Sequence, residues 1–461
     1  MTTEYEFGGP LGAGAITFGL PLLLYVFAFA CNDVAGCPIP SLLHIRSITW
    51  EKVKADTGLV NASIANFFSW EVTLVTIAYY ILGLLLWRIL PAKQVHGTKL
   101  VHHGRPLLYR FNAFSASVVI LVICAAGTYL QGADFPVWTY ITDNYVQLLT
   151  ANILIAYVLS AFLYAYSFTA DTNYPNRDLR ELAAGGATGN PIYDFFIGRE
   201  LNPRVTLPFF GEVDIKTCQA VSHTYGYVSD SIVFTTAVQA YYVLSSQYNE
   251  SSILTMMDIT TDGMGFMLSF GDLVWVPFLY STQCRYLSAY PVHLGWPRIA
   301  AVSAVFALGI YIFKAANNQK HAFRTQPDNP AVANLSYIQT KRGTRLLTAG
   351  WWGVSRHINY FGDWLQALPF SLPTGLAGYM ILPEGSVTDT SQAVPMLDGR
   401  MAVQGPAAGW GMIFTYFYVL YFGILLIHRE RRDDAMCAKK YGDDWKEYKK
   451  MVRWRILPWV Y

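Results

Sequence analysis

The sequence predicts an all-α fold, a polytopic membrane bundle of about 9–10 transmembrane helices with a cytosolic C-terminal segment. Hydrophobic residues make up 53% of the 461 residues and charged residues only 14%, whereas a soluble domain carries about 25% charged residues. The hydrophobic residues also cluster in runs near the length of about 20 residues that a helix needs to cross a bilayer. The candidate spans are Ala13–Ala30, Val72–Leu90, Phe111–Leu130, Ala151–Phe168, Ser231–Ser246, Met264–Ser281, Pro297–Phe313, an interrupted span around Tyr360–Leu382, and Trp410–Ile427.

The distribution of Lys and Arg predicts which connections face the cytosol. The predicted cytosolic connections are 88–110, 170–228, 314–356 and 428–461, and the predicted lumenal ones, which contain no Lys or Arg, are 131–150 and 247–263. This assignment requires an even number of crossings between Val228 and Lys314, yet three apolar segments lie there. Either one of the three is re-entrant or split, or a further segment crosses the membrane, and the acidic, glycine-containing block Asp258–Asp272 is the strongest candidate for the irregular segment.

The net charge, the N-terminal residues and the cysteines bear on other classes of protein and site. A net charge of +2 gives no indication of nucleic-acid binding. The opening MTTEYEFGGP lacks the basic region and cleavage site of a signal peptide, so the first span is predicted to be an uncleaved anchor. Among the six cysteines only Cys31 and Cys37 are near neighbours. Their spacing is not typical of a metal site, and two alternatives stay open, a lumenal disulfide or a pair of free thiols.

The charged C-terminal segment has a helical spacing of chemically different side chains. Arg429, Asp433, Cys437 and Tyr441 are four residues apart, so on a helix they follow one face. That face combines a cation, a carboxylate, a thiol and a phenol directly after an apolar run. The pattern indicates a binding surface, and the alternative is a basic anchor whose side chains reach the membrane surface.

Two further segments carry side chains suited to a nucleotide. Lys320 and Arg324 are four residues apart at the exit of a span, where two cations suit a phosphate or serve as positive-inside anchors. The block GWWGVSRHINYFGDW (Gly350–Trp364) places tryptophans beside hydrogen-bonding side chains, which suits a nicotinamide or ribose. The alternative is an aromatic belt at the membrane interface. No GxGxxG follows a predicted strand, so a Rossmann domain is not expected.

Three carboxylates lie beside or within a predicted span. Asp258, Asp262 and Asp272 would be costly at membrane depth, where an ionisable residue is functional or paired by default. The alternative for Asp258 and Asp262 is the capping of helix starts. Asp272 lies inside the apolar segment, and the pattern therefore favours it as the functional one.

Several long motifs, in order, resemble the sterol reductase family. They are EFGGPLGA (Glu6–Ala13), GNPIYDFFIGRELNPR (Gly189–Arg204), MDITTDGMGFMLSFGDLVWVPFLYS (Met257–Ser281), the block at Gly350–Trp364, and the tail His428–Tyr461. The family includes carbon-14, carbon-7 and carbon-24(28) sterol reductases and the reductase domain of the lamin B receptor. The chain looks most like the fungal carbon-14 enzymes and departs from close relatives by an insertion around Leu376–Gly409.

The resemblance implies a single integral-membrane domain over 1–461, with the sterol side mainly in 1–313 and the NADPH-binding half in 314–461. It implies NADPH as cofactor, a sterol substrate in the membrane lipid, the endoplasmic reticulum membrane as location, and other enzymes of sterol biosynthesis as partners. The cofactor-binding residues that it implies are Lys320, Arg324, Leu347, Trp352, His357, Ile358, Asn359, Tyr360, Arg429, Asp433, Cys437, Ala438, Lys439, Lys440, Tyr441 and Tyr448.

The reaction that the resemblance implies is ionic. An acid protonates carbon 15 of the C14=C15 double bond, and hydride is added to the cation at carbon 14. Tyr242 best matches the family's pocket tyrosine, Asp272 is the carboxylate alternative for the proton donor, and Asp433 is a further catalytic candidate. Two other functions stay open, reduction at carbon 7 or carbon 24(28), and a sterol-binding scaffold without catalysis.

Overall fold

The structure, a computed structural model, describes residues 5–99, 106–169, 181–183, 185–201, 225, 227–255, 260–326, 328–383, 385–386 and 393–461. Helices dominate and the strands are few and short, so the predicted helical membrane bundle is confirmed. Within these residues, the helices long and apolar enough to cross a membrane are Gly9–Ala30, Ile64–Ile89, Ala113–Asp134, Tyr145–Ser167 and Gly295–Thr325. The described part of Asp258–Asp272 begins at Thr260, and Asp258 lies outside the described residues.

The longer helices are α1 (Gly9–Ala30), α2 (Trp70–Ile89), α3 (Ala113–Gln131), α4 (Tyr145–Ser167), α5 (Asp230–Tyr248), α6 (Gly295–Thr325), α7 (Ile358–Ser371), α8 (Phe417–Tyr441) and α9 (Asp443–Met451). The shorter ones are Pro40–Leu43, Trp50–Thr57, Ile64–Phe67, Pro136–Asp143, Pro191–Ile197, Phe266–Phe270, Val276–Tyr280, Thr282–Ala289, Trp351–Val354 and Met412–Thr415. The strands are β1 (Gly36–Cys37), β2 (Lys93–Lys99), β3 (Pro106–Phe111), β4 (Glu181–Leu182), β5 (Glu200–Leu201), β6 (Tyr337–Gln339), β7 (Arg345–Leu347), β8 (Tyr379–Leu382), β9 (Ala393–Pro395) and β10 (Met401–Val403).

The predicted span Met264–Ser281 is not one regular helix. It consists of a short α-helix, the π-helical turn Gly271–Trp275 and a second short α-helix. The backbone N–H of Val276 reaches back to the carbonyl of Gly271, and Pro277 next to it has no N–H to donate. Asp272 lies in this π turn, and such turns are frequent at functional sites. The helical turns continue without a break from Phe266 to Tyr280, so this segment is neither split nor re-entrant.

One connection lies on the side of the membrane bundle opposite to the side predicted for it. Gln247–Gly263 is predicted to be lumenal, but the Glu250 carboxylate accepts a hydrogen bond from the backbone N–H of Ala113 at 3.1 Å. Ala113 begins α3 at the end reached by the basic connection 88–110, so the lumenal assignment of Gln247–Gly263 is wrong. The connection lacks basic residues because it supplies a carboxylate to a helix N-terminus, where negative charge is favourable.

The number of membrane crossings required between Val228 and Lys314 is odd, not even as predicted. Asp230 accepts hydrogen bonds from the backbone N–H groups of Leu294 at 3.0 Å and Gly295 at 2.8 Å. These residues lie at the start of α6, and Lys314 lies toward its other end. The residues that follow Val228 are therefore on the side opposite Lys314, the predicted cytosolic position of Val228 is wrong, and three crossings are consistent.

The described residues form two compact units. The first contains Met1–Val228, Gln239–Pro291 and Gly378–Gly411, and the second contains Ser229–Val238, Val292–Ala377 and Met412–Tyr461. Helix α5 is thus divided between them after Val238. The single domain over 1–461, with its halves meeting at 313, stays a prediction.

The insertion around Leu376–Gly409 forms most of a small sheet in the first unit. The four antiparallel strands have the order β1-β8-β10-β9, and Cys37 of β1 pairs with Tyr379 of β8. Cys31 and Cys37 are joined in a disulfide, which settles the two alternatives for these thiols. The insertion is therefore built onto a covalently closed loop that follows α1.

Candidate functional site

The C-terminal end of α6 brings one predicted cation onto an aromatic ring in the second unit. The Lys320 ammonium lies 3.9 Å from the centre of the Trp352 ring, within cation–π range. The indole N–H of Trp352 donates to the carbonyl of Ala316 at 2.8 Å, which fixes the ring beside α6. Arg324, one turn further on, is exposed. The two predicted cations therefore differ, because one is held and the other is free to approach a ligand from solvent.

The turn before Trp352 requires a glycine. Gly350 has a φ of 63°, and a Cβ there would lie 2.4 Å from the side chain of Gln319. The Gln319 carboxamide accepts from the backbone N–H of Trp351 at 2.9 Å. Leu347, at the end of β7, is buried against Trp352. Leu347 thus packs against Trp352 and helps to hold its ring in place.

The start of α7 presents the next predicted residues. The rings of His357 and Tyr360 stack with centres 4.8 Å apart, and Ile358 is buried against Ala316 of α6. The Asn359 amide donates to the side-chain oxygen of Asn317 at 3.3 Å. Its own carbonyl oxygen is buried and has no hydrogen-bond partner among the residues described. That orphan acceptor marks a place where a ligand donor would fit.

Helix α8 brings the tail motif against α7. The Asp433 carboxylate lies 3.4 Å from Nε2 of His357 and accepts from the Cys437 thiol at 3.8 Å. The helical face predicted from the four-residue spacing is therefore present. We call Lys320, Trp352, His357, Asp433 and Cys437 the polar cluster.

Burial decides the charges in the polar cluster. Burial, with Lys320 and Arg356 nearby, lowers the pKa of His357 to about 3, so its imidazole is neutral. Burial raises the pKa of Asp433, and the charge of Lys320 opposes that rise. Burial and the neighbouring Asp433 raise the pKa of the Cys437 thiol to about 12, so it stays protonated. The cluster can donate and accept hydrogen bonds, but it contains no thiolate nucleophile.

The rest of the predicted tail divides into a packed part and an exposed part. Tyr448 is buried with Trp445, and Cys437 and Tyr441 pack against them; burial raises the pKa of the Tyr448 phenol. The side chains of Ala438, Lys439 and Lys440 are exposed. Tyr448 therefore supports α8 from behind, whereas the three exposed residues are available only to a ligand on the surface.

A buried ion-pair network, not among the predicted site residues, holds these elements together. The carboxylate of Glu430 is fully buried, 3.8 Å from the Arg356 guanidinium and 3.1 Å from that of Arg455. Arg356 also donates to the carbonyls of Val452 at 2.8 Å and Arg453 at 2.9 Å. Arg356 precedes His357, and Glu430 follows Arg429. The network therefore holds the backbone in place next to His357 and next to Arg429.

Replacing Glu430 by alanine is expected to lower the free energy of unfolding by about 3–5 kcal/mol, because it leaves buried Arg356 without its carboxylate. Glu430→Gln keeps the shape and should lose less. Thermal unfolding in detergent measures both. Asp443→Ala is the matched control, since it removes an exposed ion pair with Lys446 and should change nothing measurable. Equal stability of wild type and Glu430→Ala would show that the network contributes nothing.

The two predicted proton donors belong to the first unit. Tyr242 of α5 is half-buried, and its ring centre lies 6.3 Å from that of Tyr280. Asp272 is half-buried in the π turn. The neighbouring Gln239 is buried and donates to the carbonyl of Tyr280 at 2.9 Å. Both candidates thus lie in polar, partly buried surroundings inside predicted spans.

Apolar helices and a polar cluster at their ends define the class of this protein, an integral-membrane protein with a candidate binding site at helix ends. The comparison with known proteins adds the family. The model of the ergosterol biosynthesis ERG4/ERG24 family matches residues 1–461, and the chain belongs to that family.

Three of its relatives are similar over almost their whole length. The Delta(14)-sterol reductase ERG24B of Gibberella zeae is 58% identical, over 99% of this chain and 98% of the relative. The Delta(14)-sterol reductase of Neurospora crassa is 56% identical, over 99% and 96%. The Delta(14)-sterol reductase erg24 of Schizosaccharomyces pombe is 40% identical, over 99% and 97%.

Proposed function

We propose that this protein is an NADPH-dependent delta(14)-sterol reductase of the endoplasmic reticulum membrane, acting in ergosterol biosynthesis. The observation that carries the proposal is its 58% identity, over 99% of its length, to a relative named Delta(14)-sterol reductase. The reaction adds one hydride and one proton across the C14=C15 double bond of a sterol. In the described part of the chain, five helices are long and apolar enough to cross the membrane in which such a substrate dissolves.

The second unit fits a nicotinamide dinucleotide. Lys320 and exposed Arg324 suit the 2′-phosphate of NADPH, and the stacked pair His357 and Tyr360 offers a flat surface for a ring. The orphan carbonyl oxygen of Asn359 suits a carboxamide or ribose donor. When bound, NADPH would supply the hydride that carbon 14 requires.

In this proposal the polar cluster holds and orients the bound dinucleotide. The neutral imidazole of His357 faces the Asp433 carboxylate at 3.4 Å, and the Cys437 thiol donates to the same carboxylate. Arg429 lies one helical turn before Asp433. Together these side chains give a surface with fixed donors and acceptors at the end of α8, where a ligand is positioned with little loss of freedom.

The first unit supplies the proton. Tyr242 donates it to carbon 15, which leaves a tertiary cation at carbon 14. A phenol holds its proton at neutral pH without tuning, since its reference pKa is about 10. The carboxyl of Asp272 would need burial to raise its pKa by several units. Apolar helices exclude water from the cation.

Replacing both Lys320 and Arg324 by alanine is expected to raise the Michaelis constant for NADPH by at least about tenfold, because a charged hydrogen bond contributes about 1.5–3 kcal/mol. The constant for NADH should change little, since NADH lacks the 2′-phosphate. Of the single variants, Arg324→Ala should carry most of the effect, because Lys320 is already engaged with Trp352. Equal losses with both cofactors would refute selection of the 2′-phosphate.

The function is tested by expressing the chain in a yeast strain that lacks its own carbon-14 reductase. The proposal predicts that C14=C15 sterols disappear from the sterol profile and that growth is restored. Persistence of those sterols, with the protein present in the membrane fraction, would reject the proposal.

A further inference from the structure

An exposed cleft at the end of the second unit plays no part in the proposed reduction. It has a volume of about 270 Å³ and is lined by Val354, Met451, Arg453, Trp454, Pro458 and Trp459. Trp459 is 80% exposed and Met451 55% exposed. Large apolar side chains in contact with solvent at one place indicate a binding surface rather than a solvated tail.

The position of the cleft along α8 is fixed by hydrogen bonds. The apolar run of α8 ends at Ile427, and Glu430 lies three residues, about 4.5 Å, further along the helix. Arg455 binds Glu430 at 3.1 Å, and the carbonyl of Trp454 accepts from the backbone N–H of Arg356 at 2.9 Å. These contacts tie Trp454 of the cleft and its neighbour Arg455 to the part of α8 that directly follows the apolar run, where a membrane helix reaches the headgroup region.

The exposed side chain of Trp459 lies on a hydrogen-bonded turn. Trp459 has a φ of 65°, which is strained for a residue other than glycine. The turn is closed by a hydrogen bond from the N–H of Tyr461 to the carbonyl of Leu457 at 2.9 Å. Pro458 beside it is buried. A fixed, exposed indole at this depth is the usual arrangement of an interfacial membrane anchor.

A cation completes the surface. Arg453 is exposed, and its guanidinium has no hydrogen-bond or ion-pair partner in the described part of the chain. Arginine pairs with phosphate through two parallel hydrogen bonds. We propose that this cleft binds an anionic phospholipid of the cytosolic leaflet, with its phosphate on Arg453 and its glycerol and upper acyl region against Trp459 and Met451.

The test uses the purified, delipidated full chain in detergent and measures its melting temperature. Phosphatidylserine added to mixed micelles of phosphatidylcholine and detergent should raise Tm by several degrees, because a ligand that binds only the folded state stabilises it. Phosphatidylcholine alone, whose own trimethylammonium group compensates its phosphate, and inorganic phosphate should not. Arg453→Gln and Trp459→Ala should abolish the rise, and native mass spectrometry should show the loss of a bound anionic lipid.

Two exposed residues elsewhere provide matched controls. Arg431→Gln removes a cation from the exposed face of α8, and Trp296→Ala removes an indole that is 85% exposed. Both controls should keep the full response to phosphatidylserine. An unchanged response in Arg453→Gln and Trp459→Ala overturns the proposal. An equal rise with inorganic phosphate overturns it as well, because the site would then bind an anion and not a lipid.

Discussion

Replacing Tyr242 by phenylalanine is expected to lower the rate of sterol reduction by about 10²–10⁴-fold, the usual contribution of a positioned general acid. The substitution removes only the hydroxyl, so the ring can keep its place 6.3 Å from Tyr280. Folding and the binding of sterol and NADPH should therefore be nearly unchanged. Turnover is measured by sterol profiling with purified enzyme, and cofactor binding by fluorescence titration.

Tyr241 offers a matched control. It is the adjacent phenol on α5 and is 38% exposed. Tyr241→Phe should retain near-normal turnover, because the hydroxyl of Tyr241 is not the one assigned to carbon 15. If Tyr242→Phe keeps its turnover and Asp272→Asn loses it, the assignment is wrong and the carboxyl in the π turn is the proton donor.

Arg429→Ala and Asp433→Ala are each expected to lower turnover by about 10²-fold, because small displacements of a positioned ligand have effects of that size. Asp433 also contacts His357 and Cys437, so its loss disturbs one face of the polar cluster. The double variant should be little worse than either single variant, since residues that act as one unit are not additive.

Arg431→Ala controls for the loss of a cation from the same helix. Arg431 is exposed and lies off the face that carries Arg429 and Asp433, so the variant should keep its activity. Rates and protein accumulation are measured for all four variants in the same membranes. Multiplicative losses in the double variant would mean that Arg429 and Asp433 have two independent roles.

The elements that hydropathy and periodicity predict are those set by local sequence. Helices α1 to α4 fall where runs of apolar residues have the length of a span, and the four-residue spacing of Asp433 and Cys437 predicts their shared face. Both features depend on neighbouring residues along one helix. The periodicity of the sequence therefore predicts them.

Contacts between segments that are distant in the sequence could not be predicted from the sequence pattern. Glu430 lies beside Arg429, but its partner Arg356 comes from the turn before α7, far away in the sequence, and only the fold shows that both are buried. The side of the connection around Glu250 was predicted wrongly because its contact with Ala113 carries no charge signal in the sequence. The insertion gives no periodic signal because its strands are only three or four residues long.

The most direct test follows isotopes through a single turnover by the purified enzyme. With NADPH deuterated at carbon 4 of the nicotinamide, we expect one deuterium at carbon 14 of the sterol. With unlabelled NADPH in heavy water, we expect one deuterium at carbon 15. Mass spectrometry and NMR of the product locate the label. Unreduced C14=C15 sterol, or label at carbons of another double bond, would show that the protein is not a carbon-14 reductase.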